Sequence, residues 1–350
     1  MVNVTGLIVD GVLEKQDLAK AQLAGESFAR LRLRNVNLSH ANLKGCDFSN
    51  SDLEACDFSF SDLTDAKFNS ATVVGCKFSG SQMVGACWMA AKLKDTDLVK
   101  VQAVQSDWNM AMSDTCVFDQ ADLSGANLEF LSAITSSFND TDLTRSIISR
   151  AKFQQCDLST TVFRETQMEL TILMQAKLMR QKFPGCKFDT TVFAQADLTG
   201  ADFSGAPLSS VVFAEASLVN ANFSGAQCEK VMFSLADLSN ANLEGASFEL
   251  CDLTMAKLNG VRAAKTRWVQ SSAEHIDAMK TDFSGANFKA SDLSNANIQG
   301  SDFSQASFDT SVLFAMKDEG TNWEGAQFLN SPKLDMPRAK AEQWTPPESA

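Results

Sequence analysis

The sequence predicts an all-β solenoid, and two observations carry the prediction: an unbroken five-residue beat of apolar side chains, and a small-residue position locked to it. In SLADLSNANLEGASFELCDL (234–253), Leu238, Leu243, Phe248 and Leu253 fall on every fifth residue. That spacing matches neither the roughly 3.6-residue period of a helix nor the roughly 2-residue period of a strand. The beat occupies positions ending in 3 or 8 from Leu18 to Phe328 without a phase slip, with Val73, Met83, Ile148, Met168 and Ile298 as apolar variants. Two residues before each beat the side chain is usually small, as at Ala41, Ser51, Thr141 and Ala241.

Residues two apart in an extended segment point to the same side, so the small and the large residue both face inward while the Asp or Asn between them faces out. The remaining two residues are often Ser-Gly, Ser-Asn or Thr-Gly, which form turns. Each quintet therefore reads as a very short strand and a corner. One quintet cannot bury its Leu or Phe alone, but stacked coils share an apolar bore and pair their backbones. Phe163, Phe183, Phe203 and Phe223 recur every 20 residues, as do Phe193, Phe213 and Phe233, which predicts aromatic columns. Trp88 and Trp108 share that spacing, and their indoles either widen the bore or turn outward.

The quintets ADLSN (236–240), ANLEG (241–245), ADLTG (196–200), ADFSG (201–205) and ANFSG (221–225) resemble the pentapeptide-repeat family, whose consensus is A(D/N)LXX. The resemblance covers most of the chain. It implies a right-handed quadrilateral β-helix with four quintets per coil, which at about 4.8 Å per coil gives about 16 coils and a length of about 75 Å. Residues 1–17 read as an N-terminal cap, 18–328 as the repeat region with irregular segments near 101–133 and 261–280, and 329–350 as a C-terminal cap or short helix with a flexible tail. In 261–280, Ala263, Ala273 and Ala278 replace bulky central residues, and a projecting loop or a distorted coil would each account for them.

A net charge of −13 disfavours direct nucleic-acid binding, which needs basic surface. No long apolar run suggests a membrane span, and the start lacks the plan of a secretory signal, so a cytoplasmic location is expected. Of nine cysteines, seven occupy the small inward site, Cys228 is central, and Cys87 alone faces outward. Packing rather than disulfide or zinc chemistry is expected of them, in a reducing compartment. Asp47, Asp52, Asp57 and Asp62 read as ordinary solvent-facing repeat positions.

With two histidines, no phosphate-loop motif and no nucleophile paired with a base, the chain is not expected to be an enzyme or to carry a metal or cofactor. Glu274, His275 and Asp277 form the one compact group with ligand chemistry, and they lack a fourth partner. Candidate partner-binding residues are Ile172, Val192, Val212 and Met232, an apolar set replacing Asp or Asn on one wall, together with Arg262, Lys265, Arg267, Trp268 and His275 of the 261–280 segment. A non-catalytic protein-interaction scaffold is the expected function, with an unidentified protein partner or a second copy of the chain held through an end cap or the apolar wall. The resemblance also allows a role as an accessory or effector of a bacterial secretion system, exported from the cytoplasm. The alternative it implies is a DNA mimic binding a type II topoisomerase such as DNA gyrase. Duplex DNA of that length would carry about 44 charges, far more than this chain.

Overall fold

The computed structural model describes residues 4–331. The chain divides into two compact units, Met1–Asp197 and Leu198–Ala350. The C-terminal cap or short helix and flexible tail expected in 329–350 lie, beyond Ser331, outside the described residues. Each unit is a right-handed quadrilateral β-helix built from the quintets. In the coil 41–60 we number the walls by their central residues: wall 1 at Leu43, wall 2 at Phe48, wall 3 at Leu53 and wall 4 at Phe58, each wall recurring every 20 residues.

The first unit opens with a 3₁₀ turn, Val4–Leu7, and a tight reversal in which Val9 and Val12 exchange both backbone hydrogen bonds. Asp10 and Gly11 carry positive φ in that reversal, the conformation that matches a hairpin to strand twist. Eight strands then stack in parallel on wall 3: β1 (Val12–Glu14), β2 (Arg32–Arg34), β3 (Asp52–Glu54), β4 (Thr72–Val74), β5 (Lys92–Lys94), β6 (Met112–Asp114), β7 (Ser132–Ile134) and β8 (Lys152–Gln154). Their register is 20 residues per coil, with Leu13 over Leu33 and Leu33 over Leu53. The ladder thus begins at β1, inside the 1–17 segment. A short strand β9 (Phe188–Asp189) follows on wall 2.

In the second unit the three-residue strands lie on wall 2 instead: β10 (Pro207–Ser209), β11 (Gln227–Glu229), β12 (Ser247–Glu249), β13 (Arg267–Val269), β14 (Asn287–Lys289), β15 (Ser307–Asp309) and β16 (Gln327–Leu329), paired in that order. The outward residue contributes to the corner. On turn-forming walls its carboxylate or amide oxygen accepts the N–H two residues on, as Asp57 does from Ser59 (2.9 Å), Asp122 from Ser124 (3.0 Å) and Asp252 from Thr254 (2.9 Å). This side-chain turn starts the corner early. Most strands have another residue there, as at Val12, Arg32, Thr72, Lys92, Pro207, Gln227 and Ser247, but Asp52 and Asn287 also lie in strands and Lys67, Lys77 and Gln82 on turn-forming walls, so the cap favours the corner without fixing it. The repeat carboxylates Asp47, Asp57 and Asp62 are therefore corner caps as well as surface. Asp52, on a strand, instead lies 3.5 Å from Arg32.

Every central residue from Leu13 to Leu313 is buried. Phe28, Phe48, Phe68, Trp88 and Trp108 form one stacked column on wall 2, with successive ring centres 4.0–4.9 Å apart. Both indoles point into the bore. Phe163–Phe183, Phe203–Phe223 and Phe213–Phe233 also pair, at 5.6, 5.0 and 5.2 Å.

Residues 101–133 and 261–280 keep the coil path. In the first, Ala103 and Ser113 flank Trp108 within one coil, and in the second Ala263, Ala273 and Ala278 share a coil with Trp268. In a bore packed to crystal-like density these small residues make room for Trp108 and Trp268, whereas Trp88 shares its coil with Met83, Leu93 and Leu98. The small residues are the volume complement of Trp108 and Trp268.

Candidate functional site

Surface chemistry on this fold is set by two positions per quintet, the outward wall residue and the corner residue. Corner residues end in 5 or 0 and adopt positive φ from Asp10 to Asn330, with Thr160 the sole exception. Glycine suits that conformation, whereas a bulky L-residue there costs about 1–2 kcal/mol. Apolar side chains nevertheless occupy it in rows.

In the first unit Met110, Phe130 and Leu170 stand in one column of the corner between walls 2 and 3, with φ of 59°, 59° and 60°. Arg150 fills the level between the last two, its guanidinium 5.5 Å over the Phe130 ring and 2.6 Å from Glu129 Oε1. Met110 is 56% exposed and Phe130 44%, and exposed Met89 and Met112 flank the row. In the second unit Leu235 (54% exposed) and Met255 (53%) occupy consecutive levels of the corner between walls 3 and 4. Exposed Met232 adjoins them on wall 3, and His275 takes the next level of the same corner column.

The sequence-derived candidates separate on this frame. Ile172 and Val192 bridge one another on wall 3 of the first unit, and Val212 and Met232 do so on wall 3 of the second. Ile172, Val192 and Val212 are half-buried, and Met232 is exposed. Arg262 lies on wall 1 between Asn242 and Asp282, and Arg267 is in β13 on wall 2. Lys265 occupies the corner joining those walls, so these three cations surround one edge. His275 sits two corners further round the coil, 3.5 Å from the Asn295 amide. Trp268 is corrected: it is 1% exposed, stacked 4.3 Å from Phe248 and 5.7 Å from Phe288, and its indole N–H donates to Thr266 Oγ1 at 2.9 Å. Its central position in the quintet makes it bore, not partner surface.

Sequence reading passed over Met110, Phe130, Leu235 and Met255. The signal was present: a bulky apolar residue where the repeat calls for Gly, Asn or Ser. It could not be weighed until the fifth residue was known to be a left-handed corner.

The polar group at 274–277 is divided by the His275 corner. Asp277 accepts hydrogen bonds from Asn297 (3.0 Å) and Asn259 (2.9 Å), which orient it along wall 4. Among the described residues, no group of three or more His, Cys, Asp or Glu side chains could hold a metal ion. All nine cysteines are free, eight of them buried and Cys87 half-exposed. Burial pushes the thiols of Cys46, Cys116, Cys186 and Cys251 up to about 11 and that of Cys156 to about 12. They are therefore protonated at neutral pH. No helix of the described residues is long and apolar enough to cross a membrane.

A coil of four five-residue walls around a bore of Leu, Phe and Trp defines a parallel β-helix repeat protein. Two family profiles match the sequence: one described as a pentapeptide repeat region, at 146–223 and 176–249, and one described as pentapeptide repeats (8 copies), at 17–50, 32–69, 121–164, 233–266 and 280–309. Together they span more than half of the chain, which belongs to the pentapeptide-repeat family. A search of curated protein sequences found no match. Similar solved structures include HetL, a pentapeptide repeat protein involved in heterocyst differentiation regulation in the cyanobacterium Nostoc sp. It is 21% identical over 71% of this chain and 89% of that one, with a TM-score of 0.25. Trypsin-treated QnrB1, a plasmid-mediated fluoroquinolone resistance protein, is 19% identical over 64% of this chain and 91% of that one, with a TM-score of 0.35. Rfr23, a pentapeptide repeat protein from the cyanobacterium Cyanothece 51142, is 15% identical over 51% and 89%, with a TM-score of 0.17.

Proposed function

We propose that this chain is a non-catalytic scaffold that binds a protein partner through apolar corners of its walls. One observation carries the reading: Met110, Phe130, Leu170, Leu235 and Met255 hold bulky apolar side chains in water at left-handed positions where the backbone disfavours them. Folding leaves 44–56% of each of these residues exposed. Exposed apolar clusters of this kind lose water when a partner covers them. Arg150, stacked on Phe130 and paired with Glu129, adds a polar rim to the first cluster. Val212, Met232 and His275 extend the second, so the apolar wall expected from sequence contributes as its margin.

The test is capture from the native cell by the full chain, compared with Phe130→Asn/Met110→Asn and with Leu235→Asn/Met255→Gly. Asparagine and glycine suit the corner backbone, so both variants are expected to fold while losing the partner bound by the altered unit. Undiminished capture by both would overturn the reading. The identity of a captured protein also decides whether the scaffold serves a secretion apparatus, and sedimentation of the variants tests whether a second copy is the partner.

The DNA-mimic alternative finds only short acidic columns. Asp122 bridges Asp142, and Asp282 bridges Asp302, but Gln102 and Val162 bound the first pair while Arg262 and Asn322 bound the second. These carboxylates are also engaged in corner hydrogen bonds. A type II topoisomerase supercoiling assay is expected to show no inhibition at stoichiometric protein, and inhibition would favour the alternative.

A further inference from the structure

Wall 1 of the first unit is uniform for most of its length. From Ala21 to Val162, each outward residue donates its N–H to the preceding coil and each central residue donates to the next, as in Val162 N–H to Thr141 O (2.9 Å) and Leu143 N–H to Val162 O (3.0 Å). Between 161–163 and 181–183 both bonds are missing. Lys182 N–H does not reach Thr161 O, and among the described residues Phe163 N–H has no backbone acceptor.

The cause is Gln181. It occupies the small inward site where Thr161, Thr171 and Thr191 each send a hydroxyl to the carbonyl 23 residues earlier, at 2.7–2.8 Å. Gln181 fills the same slot with a longer side chain. Its buried amide donates both to Leu158 O (2.7 Å) and to Thr161 O (3.0 Å), taking the acceptor that belongs to Lys182 N–H. Lys182 N–H is left with the Gln181 side-chain oxygen at 3.3 Å. Nearby Thr160 is the one corner residue without positive φ.

The opened ladder forms a groove, and its lining includes Arg164, Arg180 and Lys182 with the hydroxyl residues Ser159 and Thr160 and no carboxylate. Three cations in one depression, in a chain of net charge −13, have no ion-pair partner among the described residues. Adjacent Arg145 and Lys177, by contrast, are each paired, to Glu165 and Asp157. Ser159 already donates its hydroxyl to Asp157, so the groove combines positive side chains, the Thr160 hydroxyl and the Phe163 backbone N–H, the donor set that oxyanions take.

We infer that this groove is an anion-binding site for a phosphate-type dianion, either free or as the monoester of a small molecule. The inference is independent of the apolar corners. Arginine supplies planar paired donors to phosphate oxygens and lysine a point charge, so removing any of the three weakens binding without disturbing the bore.

Isothermal titration of the full chain with inorganic phosphate and with adenosine 5′-monophosphate tests it. At least one is expected to bind saturably, with affinity falling as the pH drops below the second phosphate pKa, about 6 for a monoester. Tighter binding of free phosphate identifies the free ion as the source, and tighter binding of the nucleotide identifies a monoester. Arg164→Gln, Arg180→Gln and Lys182→Gln are each expected to weaken binding about tenfold or more. Gln181→Thr restores the wall's usual hydroxyl contact and is expected to close the ladder, leaving a folded protein that no longer binds. No saturable binding of either probe to the native chain, or equal binding by all four variants, would overturn the inference.

Discussion

Trp88 shows how a single missing atom is felt in this bore. Trp108 and Trp268 donate their indole N–H to the residue two places earlier, Ser106 Oγ at 2.7 Å and Thr266 Oγ1 at 2.9 Å. Trp88 lies parallel to Trp108 within 1°, but alanine stands at 86, and its buried N–H has no partner. Ala86→Ser is expected to raise stability by about 1 kcal/mol in chemical denaturation, and Ser106→Ala to lower it by about 1–2 kcal/mol. Corner residues carry the opposite sign of strain. Leu235→Asn places a residue tolerant of φ near 60° in the corner and is expected to leave the melting temperature unchanged or raised. A marked loss of stability would mean that Leu235 packs structurally rather than serving a partner.

At the level of the element, inward and outward positions adjoin in every quintet. Val212→Asp restores the turn cap that Asp252 provides two coils along the same wall, so folding should be unaffected. Phe213→Asp puts a charge into the bore, where burial costs several kcal/mol, and should unfold the local coils. Circular dichroism melts of the two variants should differ sharply. Within the coil 261–280, Trp268→Leu leaves a void and Ala273→Leu overpacks, each expected to cost about 1–4 kcal/mol. If the alanines complement the indole, the double variant recovers part of both costs, with a coupling of about 0.5–3 kcal/mol, whereas strict additivity would refute volume exchange.

Coil register and buried ionisation act on the molecule as a whole. Deleting 261–280 removes one full coil and lets β12 meet β14 on the same wall, so the second unit should still fold; deleting 261–265 alone rotates each later quintet by one wall. The shorter deletion should be the more damaging one. The thiols of Cys46, Cys156 and Cys251 have folded pKa values raised by burial, so at these sites the unfolded chain loses protons first as pH rises. Their stabilising effect is complete below about pH 9 and is lost as pH rises towards 11–12, so the denaturation midpoint should fall over that window. Alkylation of the native protein at neutral pH should label Cys87 well before the other eight.

The sequence by itself determined the quintet, its inward pair and the solenoid, because a five-residue apolar period over most of the chain has no other packed solution. The choice of strand wall is not written there, since Asp52 and Asn287 lie in strands while Lys67, Lys77 and Gln82 lie on turn-forming walls. Only the tertiary structure decided what irregularities meant. Ala263, Ala273 and Ala278 read as a break until Trp268 was found sharing their coil, since volume is balanced around the bore and not along the chain. Leu235 and Met255 acquired meaning once their backbone proved left-handed and their side chains exposed, and Gln181 once its amide was seen to take a carbonyl from the ladder. Those effects depend on contacts between residues 20 apart in sequence and adjacent in space, which local pattern does not encode.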